Sequence, residues 1–213
     1  MLESIGISLQ NGNSTETRKN VLKALEEGYS YNEILQHMLD VMEIVGKKFR
    51  VNELFVPEVL IIGRAFNIAL EVISPMLDQE DMTKGTVVIG TVKGDLHDIG
   101  KNLVKMLMGS TGTKVIDLGV DVSAEQFVEA VKEHKPDILA MSALLTTTMV
   151  QINQTIKELK KQGLRDDIKI IIGGAPVTQN YANNVGADYF AMDAGTAADI
   201  VREHIQSLDK DTA

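Results

Sequence analysis

The stretch TVVIGTVKGDLHDIGKNLVKMLM, residues 86–108, changes its pattern twice within a few residues. TVVIGTV (86–92) is apolar or β-branched at every position but Gly90, as a strand buried on both faces would be. From Ile99 onward the apolar residues Ile99, Leu103 and Leu107 recur at the four-residue spacing of a helix face. GDLHD (94–98) lies between the two, a histidine flanked by aspartates. A buried strand that runs through a short loop into a helix is the building unit of a helix-covered parallel sheet.

The unit repeats toward the C-terminus. Strands are predicted at KVIDLG (114–119), DILAMSAL (137–144), IKIIIGG (168–174) and ADYFAMD (187–193). Helices are predicted near 99–110, 123–134, 149–162, 178–185 and 196–207, and Ser123 with Gln126 forms a capping box. Five such units give an α/β domain, residues 84–213, with a doubly wound five-stranded parallel sheet of flavodoxin/Rossmann-like type. Strand order is open, but both common orders leave a ligand crevice beside strand 1 at the carboxyl ends of the strands.

Residues 1–83 follow helical spacing throughout. A short helix at 2–10 precedes one over Thr15–Glu27 that Gly28 stops. Ser30, with Glu33 three places on, opens a third that runs to about Arg50. A fourth spans about Val56–Leu77, with Pro57 in its first turn. The chain therefore reads as a four-helix bundle, 1–83, followed by the α/β domain, with a hinge expected near 78–86.

Composition excludes several functions. The 213 residues carry a formal charge of −9 and no basic cluster, so neither nucleic acid nor an acidic membrane surface is an expected partner. Met1–Gln10 does not resemble a signal peptide and no apolar run nears about 20 residues. The expected compartment is the cytoplasm. With no cysteine, thiolate metal sites, disulfides and thiol nucleophiles are absent.

The unusual residues gather at predicted carboxyl ends. Asp95, His97 and Gly100 follow strand 1. Ser142 and Leu144 end strand 3, and the threonines 146–148 follow at once. Gly173-Gly174 ends strand 4 and Asp193-Ala194-Gly195 ends strand 5. No nucleotide-binding glycine fingerprint occurs. Asp95, two residues from His97, is placed to fix the imidazole tautomer and leave the other nitrogen for a metal or a proton. A lone histidine with one carboxylate suits a metal carried inside a cofactor, because a bare ion wants three or four protein ligands. The glycines after strand 4 would leave room for something bulky. His37, His134 and His204 fall on predicted helices and read as structural, and one of the three threonines could cap a helix.

Asp-x-His-x-x-Gly, then 41 residues, Ser-x-Leu, 28 residues and Gly-Gly resembles the cobalamin-binding signature of methionine synthase and its relatives. VGKKFRVNELFVPEVL (45–60) resembles the helical cap that precedes the cobalamin domain there. The chain as a whole resembles a corrinoid protein of the methyltransferase systems that demethylate methylamines, methanol, methoxyarenes or betaines.

This resemblance implies that His97 is the axial cobalt ligand of cobalamin or a related cobamide, bound base-off/His-on. Asp95 would hydrogen-bond His97, and Thr148 would extend the relay where methionine synthase has serine. It further implies cofactor contacts at Gly94, Leu96, Asp98, Ile99, Gly100, Ser142, Leu144, Thr146, Gly173, Gly174, Ala194 and Gly195. Phe55 and Val56 would cover the corrin. The cap motif of relatives, F-E-x-G-E-x-F-L-P-E, reads FRVNELFVPE here, with Arg50 for an acid and Asn52 for glycine.

The implied function is a methyl carrier, not catalytic alone, cycling between cob(I)alamin and methylcob(III)alamin. The implied partners are a substrate:corrinoid methyltransferase, a corrinoid:tetrahydrofolate or corrinoid:coenzyme M methyltransferase, and a reductive activator. The alternatives are a cobalamin-dependent sensor or regulator, or the small subunit of an adenosylcobalamin mutase.

Overall fold

The computed structural model describes residues 1–76, 85–109 and 112–211; of Arg50, Ser74 and residues 209–211 only the backbone is described. Most of the segment expected as a hinge, and Leu77, lie outside these residues. Contacts divide the chain into two units, 1–82 and 83–213.

The first unit is helical: α1 (Leu2–Gln10), α2 (Ser14–Glu26), α3 (Tyr31–Arg50), α4 (Val56–Ile73) and a 3₁₀ turn, Ser74–Met76. Local signals set the helix ends. The Asn13 side chain accepts from Glu16 N and caps α2, which gives out before Gly28, at φ +91°. Ser30 and Glu33 form the complete capping box that opens α3. The buried residues of α3 (Ile34, Met38, Val41, Met42 and Val45) make one stripe, and α3 contacts α1 and α4, which bury Ile5, Leu9, Val59 and Phe66. A Cβ on Gly6 would lie 2.9 Å from His37 Nε2, so α1 and α3 meet where glycine leaves room. Asn52, in the turn after α3, has φ +59°. It stands at the cap motif's glycine position, and asparagine tolerates the left-handed region better than most residues.

The second unit alternates β1 (Thr86–Thr91), α5 (Ile99–Gly109), β2 (Lys114–Asp117), α6 (Ala124–His134), β3 (Ile138–Ser142), α7 (Met149–Lys161), β4 (Lys169–Gly173), α8 (Gln179–Val185), β5 (Tyr189–Ala191) and α9 (Ala194–Asp211). All pairings are parallel and the order is β2-β1-β3-β4-β5. The flavodoxin-like order therefore applies, and the switch point falls between β1 and β3. One face buries Val88, Leu139, Ile170 and Ile172 under α6 and α7, together with Phe127 and Ile152. The other buries Val87, Ile89, Ile138 and Ile171 with Met108, Val201 and Ile205 of α5 and α9. Two buried faces account for the unbroken apolar strands. Gly90 stands among the apolar residues of β1 because a Cβ there would lie 2.8 Å from the fully buried ring of Phe127.

Strands are shorter than their apolar runs suggest. Ala143 is fully buried beyond the end of β3, and Val92 makes only an isolated bridge to Val122. Burial continues past the ladder, so hydrophobicity overstates strand length. α9 begins at Ala194, two residues before the predicted start, because Asp193 Oδ1 accepts from Thr196 N at 2.7 Å and caps it. Ala194 and Gly195 are thus its first residues, not loop. Among the described residues no helix is long and apolar enough to cross a membrane.

Candidate functional site

Sheet register gathers the site. Thr91 pairs with Ser142, Ser142 with Gly173, and Gly173 with Ala191, so one row of partners marks the carboxyl rim across four strands. Each site segment leaves the sheet just beyond that row.

Asp95 is at the centre. It is fully buried, in the loop after β1, and both oxygens are engaged. Oδ1 accepts from His97 Nδ1 at 2.7 Å and from His97 N at 3.1 Å. Oδ2 accepts from Leu144 N at 2.7 Å, Leu145 N at 3.2 Å and the Thr148 hydroxyl at 2.8 Å. This carboxylate ties the β1 loop to the β3 loop across the switch point. Burial pushes its pKa up, but the hydrogen bonds from His97, Leu144 and Thr148 outweigh burial and hold it well below the usual carboxylate range. An ionised Asp95 only accepts, so the proton between the two side chains sits on His97 Nδ1.

The His97 side chain is 52% exposed, and its Nε2 has no protein partner among the described residues. The arrangement therefore presents one basic nitrogen outward from a fixed tautomer. Thr148 occupies the N-cap position of α7 without capping it, and its hydroxyl serves Asp95 and lies 2.9 Å from Leu145 O.

The remaining predicted residues fall into place around this network. Gly94 has φ +80°, and Asp98 O and Oδ2 accept from Asn102 in the first turn of α5. Ile99 and Gly100 begin that helix and are exposed, as are Leu96 and Thr146, while Ser142 is half-buried. Gly173 and Gly174 have a tighter reason than room for a ligand. A Cβ on Gly174 (φ +124°) would lie 1.9 Å from Ala143 O, and one on Gly173 would lie 2.9 Å from Ala191 O. Neighbouring backbone takes that space. Ala194 and Gly195 are buried at the start of α9. Phe55 and Val56 belong to the helical unit: Phe55 is exposed and its N–H donates to Glu58 Oε2 at 2.8 Å, while Val56 is half-buried in the first turn of α4.

Three groups supporting the loop are not predicted from the sequence. The Thr91 hydroxyl donates to His97 O at 3.0 Å. Lys101, buried in α5, reaches both carboxylate oxygens of Asp117 at 2.7 Å and ties the helix to β2. Asp121, in the turn after β2, accepts from Gly94 N at 2.6 Å.

Among the described residues no three His, Cys, Asp or Glu side chains gather to hold a metal ion. The single imidazole donor suits a metal whose equatorial positions are already filled. Leu96 and Ile99 (both 72% exposed), Leu144, Leu145 and Met192 (76%) expose apolar surface on the loops of the same rim. An apolar macrocycle would cover such surface, and the residues present fit a corrinoid.

Comparison with known sequences agrees with that fit. Residues 85–202 match the family described as the B12 binding domain, and residues 1–74 match a second family of the same description. The chain belongs to the B12-binding corrinoid proteins. It is 48% identical over 159 residues to the trimethylamine corrinoid protein of Methanosarcina barkeri, covering 73% of each chain. Its structure resembles that of one chain of the methanol:cobalamin methyltransferase complex of Methanosarcina barkeri, at TM-score 0.89 and 29% identity, over 96% of this chain and 79% of that one. It also resembles a cobalamin-binding protein from Desulfitobacterium hafniense DCB-2, at TM-score 0.79 and 31% identity, over 96% and 98% of the two chains. The 1–74 match covers the helical unit and the 85–202 match the Rossmann-like unit.

Proposed function

We propose that this chain binds a cobamide at the carboxyl rim and carries a methyl group on it between two partner enzymes. The observation that carries the reading is the chain of hydrogen bonds from Thr148 through Asp95 to His97, which ends in an unengaged imidazole nitrogen at the switch point. His97 Nε2 is the protein atom that would hold the cobalt, in place of the cofactor's own base. Bound there, the cobamide supplies a cobalt centre that can accept a methyl group and give it up.

The protein's own residues do the rest. Asp95 keeps the proton on Nδ1 and the lone pair on Nε2. Thr148, Leu144 and Leu145 hold the carboxylate still, so His97 is offered from a fixed direction. Leu96, Ile99 and Met192 exclude water from the apolar edge of the ligand.

A methylated amine is the methyl source, a reading supported by the 48% identity to a trimethylamine corrinoid protein. The donor enzyme is a substrate:corrinoid methyltransferase. The acceptor enzyme would be a corrinoid:tetrahydrofolate or corrinoid:coenzyme M methyltransferase, and a reductive activator would be a further partner.

The test is to load purified protein with hydroxocobalamin under reducing conditions and remove free cofactor. Isotopically labelled trimethylamine and its methyltransferase are then added. The reading predicts one retained chromophore per chain and label on the protein-bound fraction. Retained chromophore without label would exclude the amine as donor, and a colourless protein would refute the carrier reading.

A further inference from the structure

The loop that carries His97 is held from two sides. Asp95 grips it from within the sheet. The turn after β2 grips it from the edge: Thr91 N donates to Gly119 O at 3.0 Å, and Val122 N to Thr91 O at 2.9 Å. At the tip of that turn Asp121 makes a reciprocal pair of bonds. Its Oδ1 accepts from Gly94 N at 2.6 Å, and its own N–H donates to Asp95 O at 3.0 Å. Asp121 does this at φ +57°, a region costly for a residue with a Cβ. Its side chain is exposed, so burial does not explain why the conformation is kept. The two bonds do. They fix the Gly94–Asp95 backbone next to the ligand-bearing residue, and the Lys101–Asp117 pair fixes the helix on the other side of His97.

We propose that Asp121 is a positioning residue for His97: its grip on the Gly94–Asp95 backbone sets the direction in which Nε2 is offered to cobalt. This rests on the reading of His97 as axial ligand. Asp121 touches neither the ligand nor the imidazole and acts through the loop.

Two substitutions separate its carboxylate from its backbone. Asp121→Gly accepts the positive φ and removes the acceptor. Asp121→Asn keeps an oxygen acceptor and favours the same region. Wild type and both variants are labelled with nitrogen-15 histidine, loaded with hydroxocobalamin and reduced to the cob(II) state. Electron paramagnetic resonance then separates two populations. Cobalt bound to a labelled histidine shows doublet splitting from the axial nitrogen, and cobalt bound to the cofactor's own base shows triplet splitting.

Cofactor affinity is measured alongside, and thermal melts confirm that the variants are folded. Asp121→Gly is expected to move cobalt from the histidine-bound to the base-bound population and to weaken binding by about tenfold, the scale seen when a ligand's supporting partner is lost. Asp121→Asn is expected to behave as wild type. A folded Asp121→Gly variant with wild-type spectrum and affinity overturns the proposal, as does an Asp121→Asn variant as impaired as Asp121→Gly. Wild-type protein without the doublet refutes the axial-ligand reading itself, and the proposal falls with it.

Discussion

Thr148 and Asp95 are 53 residues apart in the chain, yet their side chains meet at 2.8 Å in the interior. The hydroxyl completes the set of donors around a buried charge and links the β3 loop to the loop that bears His97. Thr148→Val keeps the shape and removes the donor, and should lower the stability of the α/β unit by about 1–2 kcal/mol. Thr148→Ser should restore most of that loss. Urea denaturation followed by circular dichroism measures both.

Asp95→Ala goes further, since it strands the backbone donors of His97, Leu144 and Leu145 as well as the two side chains. We expect a cost of about 3 kcal/mol or more. The part that still folds should bind cobamide about 10- to 100-fold more weakly, because the imidazole tautomer is no longer fixed. Equilibrium binding followed by absorbance reads this directly, and unchanged affinity would show that Asp95 does not tune the ligand.

Asp117 gives the α/β unit a pH dependence. Burial raises its pKa, but hydrogen bonds from Lys101, Gly119 N and Lys105, with the Lys101 charge, overcome burial and leave it depressed. A carboxyl whose folded pKa lies below its unfolded value stabilises above the unfolded pKa, about 3.9, and loses that contribution as the pH falls toward the folded value. Asp117→Asn should therefore be clearly less stable than wild type at neutral pH, and the gap should narrow below about pH 4. Melting temperatures across that range test it; a gap that is constant with pH would mean the charge on Asp117 is not what stabilises.

In the helical unit, Asn52 carries the left-handed conformation after α3. Asn52→Ala should cost about 1 kcal/mol and Asn52→Gly little or nothing. Thermal melts of the full chain that ranked alanine with glycine would show that the turn relaxes instead.

Much of this architecture is legible in the sequence because burial writes itself plainly. β1, β3 and β4 are apolar on both faces, so only a covered parallel sheet suits them, and the Ser30–Glu33 and Ser123–Gln126 boxes mark two helix starts. Strand ends are less legible, since Val92 and Ala143 stay buried after the ladder stops. The start of α9 is hidden because Gly195, a residue that suggests a turn, lies in its first turn.

Within the site, Asp95 and His97 are legible because two residues in one loop can only meet locally. Asp121 is not, because its partner Gly94 lies 27 residues away and its positive φ leaves no mark in composition. The glycines after β4 show the opposite problem. They are conspicuous in sequence, but the close approach they permit is that of the neighbouring strand-end backbone.

The central claim is that His97 supplies the axial nitrogen of a bound cobamide. Protein labelled with nitrogen-15 histidine, loaded with hydroxocobalamin and reduced to cob(II), tests it most directly by electron paramagnetic resonance beside His97→Ala. The account predicts doublet splitting from a labelled axial nitrogen in the wild type and its loss in the variant. Triplet splitting in both, from the cofactor's own base, would contradict it.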